Sequence, residues 1–234
     1  MSVGAKPRLV LWDVDQTLIE VGGVSRRAYA ATLQNLYGTA LDRPWQFNGR
    51  TELAAVAEVL QSVGVHPSPD AVASFIDLVV EELCAHEDEL RREGRVLAGA
   101  EAALRACRAE ARIHQSLLTG NVFPLAELKM SVFGLTDYVD LRIGAYGGDS
   151  VERIGLPPHA WERAERVLHH RFTGAETVIV GDTLLDVATG RAVDARVVAV
   201  ATGPATESEL RAAGAHAVLP DLTDTPGVVA AILG

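Results

Sequence analysis

The chain has 234 residues, 48% hydrophobic and 22% charged, enough to bury one large core or one core carrying a smaller insert, and too apolar for disorder. Its 31 acidic and 21 basic residues give a formal charge of −10, and no block of Lys and Arg offsets it, which argues against nucleic acid or an anionic membrane surface as partner. No stretch approaches the roughly 18 to 20 uninterrupted apolar residues of a spanning helix. The apolar run after Lys6 and Arg8 meets Asp13 too soon for a signal peptide, so a cytoplasmic location is expected.

The run Leu9-Val10-Leu11-Trp12 reads as a buried parallel strand that empties into Asp13 and Asp15, followed by Thr17. Like charges held a few ångströms apart raise a pKa or recruit a cation, so this strand end is a candidate site. Over about 25–92 the pattern is helical, with 26–37, 53–63 and 70–92 each apolar at three- and four-residue spacing and no strand between. Gly22-Gly23 opens this block, and the glycine-containing stretch 94–99 closes it.

Beyond Gly99 helices and strands alternate. Helices are predicted at 100–110, 124–133, 158–170, from about 185, at 207–213 and at the end of the chain. Strands are predicted near 113–118, 139–143, 177–180, 197–200 and 217–219. Such alternation requires a parallel sheet with right-handed crossovers and helices on both faces, an α/β fold with an open parallel sheet. The first strand belongs to that sheet. Residues 1–20 and 95–234 therefore form the α/β core, and 21–94 form an inserted all-α domain on two potential hinges. Cys84 and Cys107 stand outside any metal-type spacing and are expected to be small buried thiols, and His169-His170 is expected at a helix end.

In an open parallel sheet the carboxyl ends of the strands share one edge, where ligands bind. After the strand at 113–118 comes Thr119-Gly120-Asn121, a hydroxyl and exposed backbone N–H groups before a helix that Pro124 opens, which suits an anion such as a phosphoryl group. After the strand at 177–180 comes Gly181-Asp182-Thr183-Leu184-Leu185-Asp186, a second carboxylate pair. With Asp13 and Asp15, four carboxylates then share one edge. A hard divalent cation with oxygen ligands, Mg²⁺ by preference, together with a fixed positive side chain, makes that cluster tolerable.

Asp13-x-Asp15-x-Thr17, Thr119-Gly120-Asn121 and Gly181-Asp182-Thr183-x-x-Asp186, in this order and spacing, resemble the motifs of the haloacid dehalogenase superfamily. The resemblance spans nearly the whole chain, and the helical block is similar to the inserted cap of its phosphoglycolate-phosphatase-like and phosphoglucomutase-like members. It implies a Rossmann-like core and a small phosphorylated substrate. Asp13 would be nucleophile and metal ligand, and Asp15 the acid and base, its backbone carbonyl also on Mg²⁺. Asp182 would ligate the metal, Asp186 would support that shell or orient the positive side chain, and Thr119 would hold phosphoryl oxygens beside Gly120 and Asn121, with Thr17 organising the turn.

The chain departs from the family at two positions. Gln16 stands where the family usually has glycine, and the lysine expected before Pro157-Pro158 is absent. Arg153 is the candidate substitute, able to clamp a phosphoryl group in bidentate fashion; Lys129 is the rival, on a helix pattern that reads as solvent-facing. The loop Asn48-Gly49-Arg50-Thr51 resembles the segment that capped members lower onto the substrate, with Arg50 meeting an anionic leaving group. A Mg²⁺-dependent phosphatase leads. A phosphomutase and a degenerate phosphate-binding protein are the alternatives, and Asp15 disfavours a dehalogenase. Monomer and homodimer are both left open.

Overall fold

The computed structural model describes residues 6–40, 47 and 49–234. Five parallel strands, β1 (Arg8–Trp12), β4 (Ile113–Leu117), β5 (Thr177–Gly181), β6 (Arg196–Val200) and β7 (Ala217–Leu219), form one sheet in the order β4-β1-β5-β6-β7. Alternate residues of each strand face opposite sides, so each face needs its own helical cover. Val10, Trp12, Val178 and Val180 pack against α5 (Ala100–Ala109) and α10 (Thr225–Leu233). Leu9, Leu11 and Ile179 pack against α7 (Leu156–Leu168), while Val197 and Ala199 meet α8 (Leu184–Ala192) and α9 (Glu207–Ala213). This is an α/β fold of three layers.

The strand register sets up the site. Trp12 lies level with Leu117 on one side and with Val180 on the other. The next residues of β1 and β5, and the segment after β4, therefore come out together at one sheet edge.

Between β1 and β4 the chain runs through a two-stranded antiparallel ribbon, β2 (Ile19–Glu20) with β3 (Arg95–Val96). Beyond it lie α1 (Val24–Tyr37), α2 (Glu52–Ser62), α3 (Pro69–Ala85) and α4 (Glu87–Glu93). Gly22 sits where this ribbon enters the helices, with φ +59 and so close to the end of α4 that a Cβ would come within 2.6 Å of the Glu93 carbonyl. A residue with a side chain does not fit there. The helices bury their own cluster around Tyr29, Leu60, Phe75 and Leu83, which runs on into Val122 and Leu125 of the α/β part.

Three sequence expectations change. No strand forms at 139–143: Asp140 N–H and Ala145 N–H bond to Gln115 O and Leu117 O beside β4, but the stretch between them coils into a 3₁₀ turn at Leu141–Ile143. Asp140 drives that turn, its carboxylate accepting from the Arg142 amide and pairing with the Arg142 guanidinium. The helix expected over 70–92 breaks at His86, whose Nδ1 bonds to Glu82 O at 2.8 Å, and restarts as α4 with three acidic residues in its first turn. Cys84 lies on the outer side of α3 and is exposed, whereas Cys107 is buried and its thiol pushed up to about 12. No helix among the described residues is long and apolar enough to cross a membrane.

Phe75, fully buried, anchors the helical cluster and stacks at 5.8 Å from Tyr29. Phe75→Ala is expected to lower unfolding stability by about 3–5 kcal/mol, read as a shift of the urea midpoint.

Candidate active site

Asp13 follows β1 directly, and its N–H bonds to Val180 O at 2.8 Å, which ties it to β5. The turn behind it closes through Leu18 N–H to Val14 O (2.9 Å) and Gln16 N–H to Ile19 O (2.7 Å). Gln16 adopts φ +64, the left-handed conformation that glycine adopts without cost and that costs other residues roughly 1–2 kcal/mol. The Thr202 hydroxyl donates to Gln16 O and holds the strained turn. Thr17 is buried within this turn and donates to Asp182 Oδ1 at 3.0 Å, so it orients a carboxylate of the cluster.

Arg153 lies at the centre of the site. It sits in a 3₁₀ turn just before α7 and is 4% exposed. Its Nη2 donates to Asp13 Oδ1 at 2.7 Å and to Asp186 Oδ1 at 2.6 Å; its Nη1 donates to Gly49 O at 2.9 Å. Asp186 is equally committed, because it lies in the first turn of α8 and its Oδ2 accepts from the Thr183 amide and hydroxyl in a reciprocal capping box. Burial raises the Asp13 carboxyl above the usual range, opposed by Arg153 and reinforced by Asp186. Burial raises Asp182 as well, with the Asp13 and Asp186 charges adding to it. The same carboxylates hold the Arg153 guanidinium above its ordinary value against the burial that would lower it.

Carboxylate oxygens of Asp13, Asp182 and Asp186 lie within 4.8 Å of one another. When ionised, the three buried carboxylates outnumber the single guanidinium by two charges. A divalent cation with hard oxygen ligands fits that donor set and that charge. Because Arg153 and the capping box occupy Asp186, the carboxylates left for such an ion are Asp13 and Asp182.

Asp15 faces a second cation. Lys129 on α6 (Phe123–Val132), which its helical pattern suggests faces solvent, is 3% exposed. Its Nζ reaches Asp15 Oδ1 (2.9 Å) and Oδ2 (2.7 Å) and Asn121 Oδ1 (2.7 Å), which uses all three ammonium hydrogens. The spacing held the signal, since Leu125, Ala126, Lys129 and Met130 form one buried stripe of α6. Asn121 also donates to Asp15 Oδ2 and to Thr119 Oγ1.

The loop at Gly49 and Arg50 closes over these groups; Asn48 lies outside the described residues. A Cβ on Gly120 would stand 1.9 Å from Arg50 O, so only glycine lets the two loops meet. Glu52 N–H bonds to Gly120 O (2.8 Å) and the Thr51 hydroxyl to Val151 O (2.6 Å). The Arg50 side chain lines the cavity, but its guanidinium pairs with Glu58. Glu52, unanticipated from the sequence beyond its place in a first helical turn, is buried against the Tyr29 hydroxyl, and burial pushes its carboxyl up to about 7.

The family model described as HAD-hydrolase-like matches residues 156–225. The plasmid-encoded phosphoglycolate phosphatase of Cupriavidus necator is 29% identical over 224 residues, covering 94% of this chain and 92% of that protein. Among solved structures, CbbY from Rhodobacter sphaeroides in complex with phosphate has a TM-score of 0.71 at 21% identity, covering 93% of this chain and 96% of that one. A predicted phosphatase from Clostridium acetobutylicum has a TM-score of 0.70 at 17% identity, covering 96% and 99%.

Arg153→Met would strand Asp13 and Asp186. In EDTA-containing buffer it is expected to lower unfolding stability by about 3–5 kcal/mol, measured by chemical denaturation.

Proposed function

We propose that the chain is a haloacid dehalogenase-like hydrolase, a phosphatase that releases phosphate from a small phosphorylated metabolite, with Asp13 as nucleophile and Mg²⁺ as cofactor. The observation that carries this reading is the Arg153 guanidinium 2.7 Å from Asp13, beside Asp182 and Asp186 at one sheet edge. Arg153 opposes the burial that raises the Asp13 carboxyl and presents N–H donors next to the point of attack.

Asp13 attacks phosphorus in line, forming an aspartyl-phosphate while the leaving oxygen departs. Asp15, held by Lys129 and Asn121 and 36% exposed, faces the cavity, protonates that oxygen and then takes a proton from the water that hydrolyses the intermediate. The Thr119 hydroxyl and Arg153 hold phosphoryl oxygens. Asp13 and Asp182, with the Asp15 backbone carbonyl, would hold Mg²⁺, which supplies charge neutralisation of the phosphoryl oxygens. Asp186 positions Arg153. Residues 21–94 act as a cap that closes the site from water, with Gly49 O as its contact to Arg153.

An Asp13 without any cation in reach would favour a phosphate-binding protein that has lost turnover, and Arg153 at 2.7 Å removes that argument for it. Asp15 supports hydrolysis over dehalogenation.

Asp13→Asn is expected to reduce Mg²⁺-dependent phosphate release from p-nitrophenyl phosphate to the rate without enzyme, with an unchanged circular-dichroism spectrum. Unchanged turnover in that variant contradicts the nucleophile assignment.

A further inference from the structure

The cavity in front of Asp13 is larger than the phosphoryl chemistry needs. Its volume is about 490 Å³, inside the roughly 300–1,000 Å³ of pockets that enclose drug-sized ligands. A phosphoryl group on a two-carbon acid would leave most of that space to water.

The wall beyond Asp15 is part apolar, from Val79, Leu83 and Leu125, and part polar, without a free buried cation among the described residues. Arg153 is bound to Asp13 and Asp186, Lys129 to Asp15 and Asn121, and Arg50 to Glu58. Arg26 alone among the described lining cations has no carboxylate partner, and it is exposed to solvent. A carboxylate on the leaving group would therefore find no free buried cation among the described residues, only the exposed Arg26 and the Arg50 that pairs with Glu58 at the surface, and it would enter the same cavity as Glu52.

Glu52 is placed rigidly. Its amide is fixed to Gly120 O at 2.8 Å and its Oε1 accepts from the Tyr29 hydroxyl, so both the core loop and α1 hold it. A carboxylate has about four acceptor sites; the Tyr29 hydroxyl and the Val122 amide take two, which leaves acceptor capacity for a ligand. Two further polar groups line the same cavity. Among the described residues the buried Ser25 hydroxyl oxygen has no partner and the Gln16 side-chain carboxamide makes no hydrogen bond. Acceptors, a hydroxyl and a neutral amide around a mixed wall match a hydroxylated ligand.

The geometry points to Glu52 as the residue that selects the leaving group: a neutral, hydroxyl-bearing group of sugar size, whose hydroxyls donate to the Glu52 carboxyl and satisfy Ser25. The inference rests on the phosphatase reading above. Short anionic leaving groups are disfavoured because no buried cation among the described residues is free to pair with them and the ionised form of Glu52 repels them.

The test compares kcat/KM of the full chain with Mg²⁺ on p-nitrophenyl phosphate, on a set of pentose and hexose monophosphates, and on 2-phosphoglycolate. The best sugar phosphate is expected to exceed 2-phosphoglycolate by at least roughly tenfold, and Glu52→Gln to shrink that ratio by a similar factor, mainly through KM. Gln retains an acceptor for Tyr29; should thermal melting show that this variant does not fold, Ser25→Ala must shrink the ratio instead. A wild-type preference for 2-phosphoglycolate, or a ratio that the folded variant leaves unmoved, overturns the inference while leaving the phosphatase reading in place. Absence of turnover on every ester, the aryl phosphate included, contradicts that reading instead.

Discussion

Three carboxylates and one guanidinium are buried together at the edge of the sheet, and most of the chain's unusual local structure answers the electrostatic demand this creates. An isolated buried carboxylate is too costly to keep ionised, so Asp13, Asp182 and Asp186 persist there only with close positive charge and fixed donors. Arg153 supplies the charge, with 2.7 Å and 2.6 Å contacts to Asp13 and Asp186. The Thr183 capping box fixes Asp186, and the Thr17 hydroxyl fixes Asp182. The level register of Trp12 with Val180 brings the Asp13 and Asp182 strand ends side by side. The strained left-handed Gln16 lets the chain turn sharply enough to bring Asp15 and Thr17 back to the same edge.

The same guanidinium joins the helical block to the α/β part. Arg153 donates to Gly49 O, and close by, Glu52 N–H to Gly120 O and the Thr51 hydroxyl to Val151 O complete a short seam. The close approach at Gly120 belongs to that seam. Arg153 thus touches the proposed nucleophile and the proposed lid at once, so opening the helical block about the β2–β3 ribbon would remove one of its acceptors. The Lys129, Asp15 and Asn121 cluster forms a second, separately balanced ion pair, which leaves Asp15 at the cavity wall while Asp13 stays deep.

Much of this was legible in the sequence because strand ends in a parallel sheet converge by construction. Asp13, Thr119 and Asp182 each follow an apolar run, and reading those runs as strands was enough to bring the three together. Arg153 was legible only by elimination, as the cation nearest the expected lysine position. Lys129 was misread because a charged side chain on a helix is usually solvated, whereas α6 is covered by the helical block, whose cluster takes in Leu125. Glu52 and Tyr29 were not legible at all, since their pairing depends on how α1 and α2 pack. The stretch 139–143 was read as a strand from its apolar residues, but Asp140 caps its own turn, a local competition that periodicity does not register.

The central claim is that Asp13, paired with Arg153, forms a covalent bond to phosphorus. Its most direct test is to acid-quench the Mg²⁺-loaded enzyme during turnover of an aryl phosphate, reduce with borohydride and map the peptides by mass spectrometry. Reduction of an aspartyl-phosphate converts the aspartate to homoserine, and the account predicts that conversion at position 13. Steady phosphate release with Asp13 unmodified, or with conversion at Asp15, Asp182 or Asp186 instead, would contradict it.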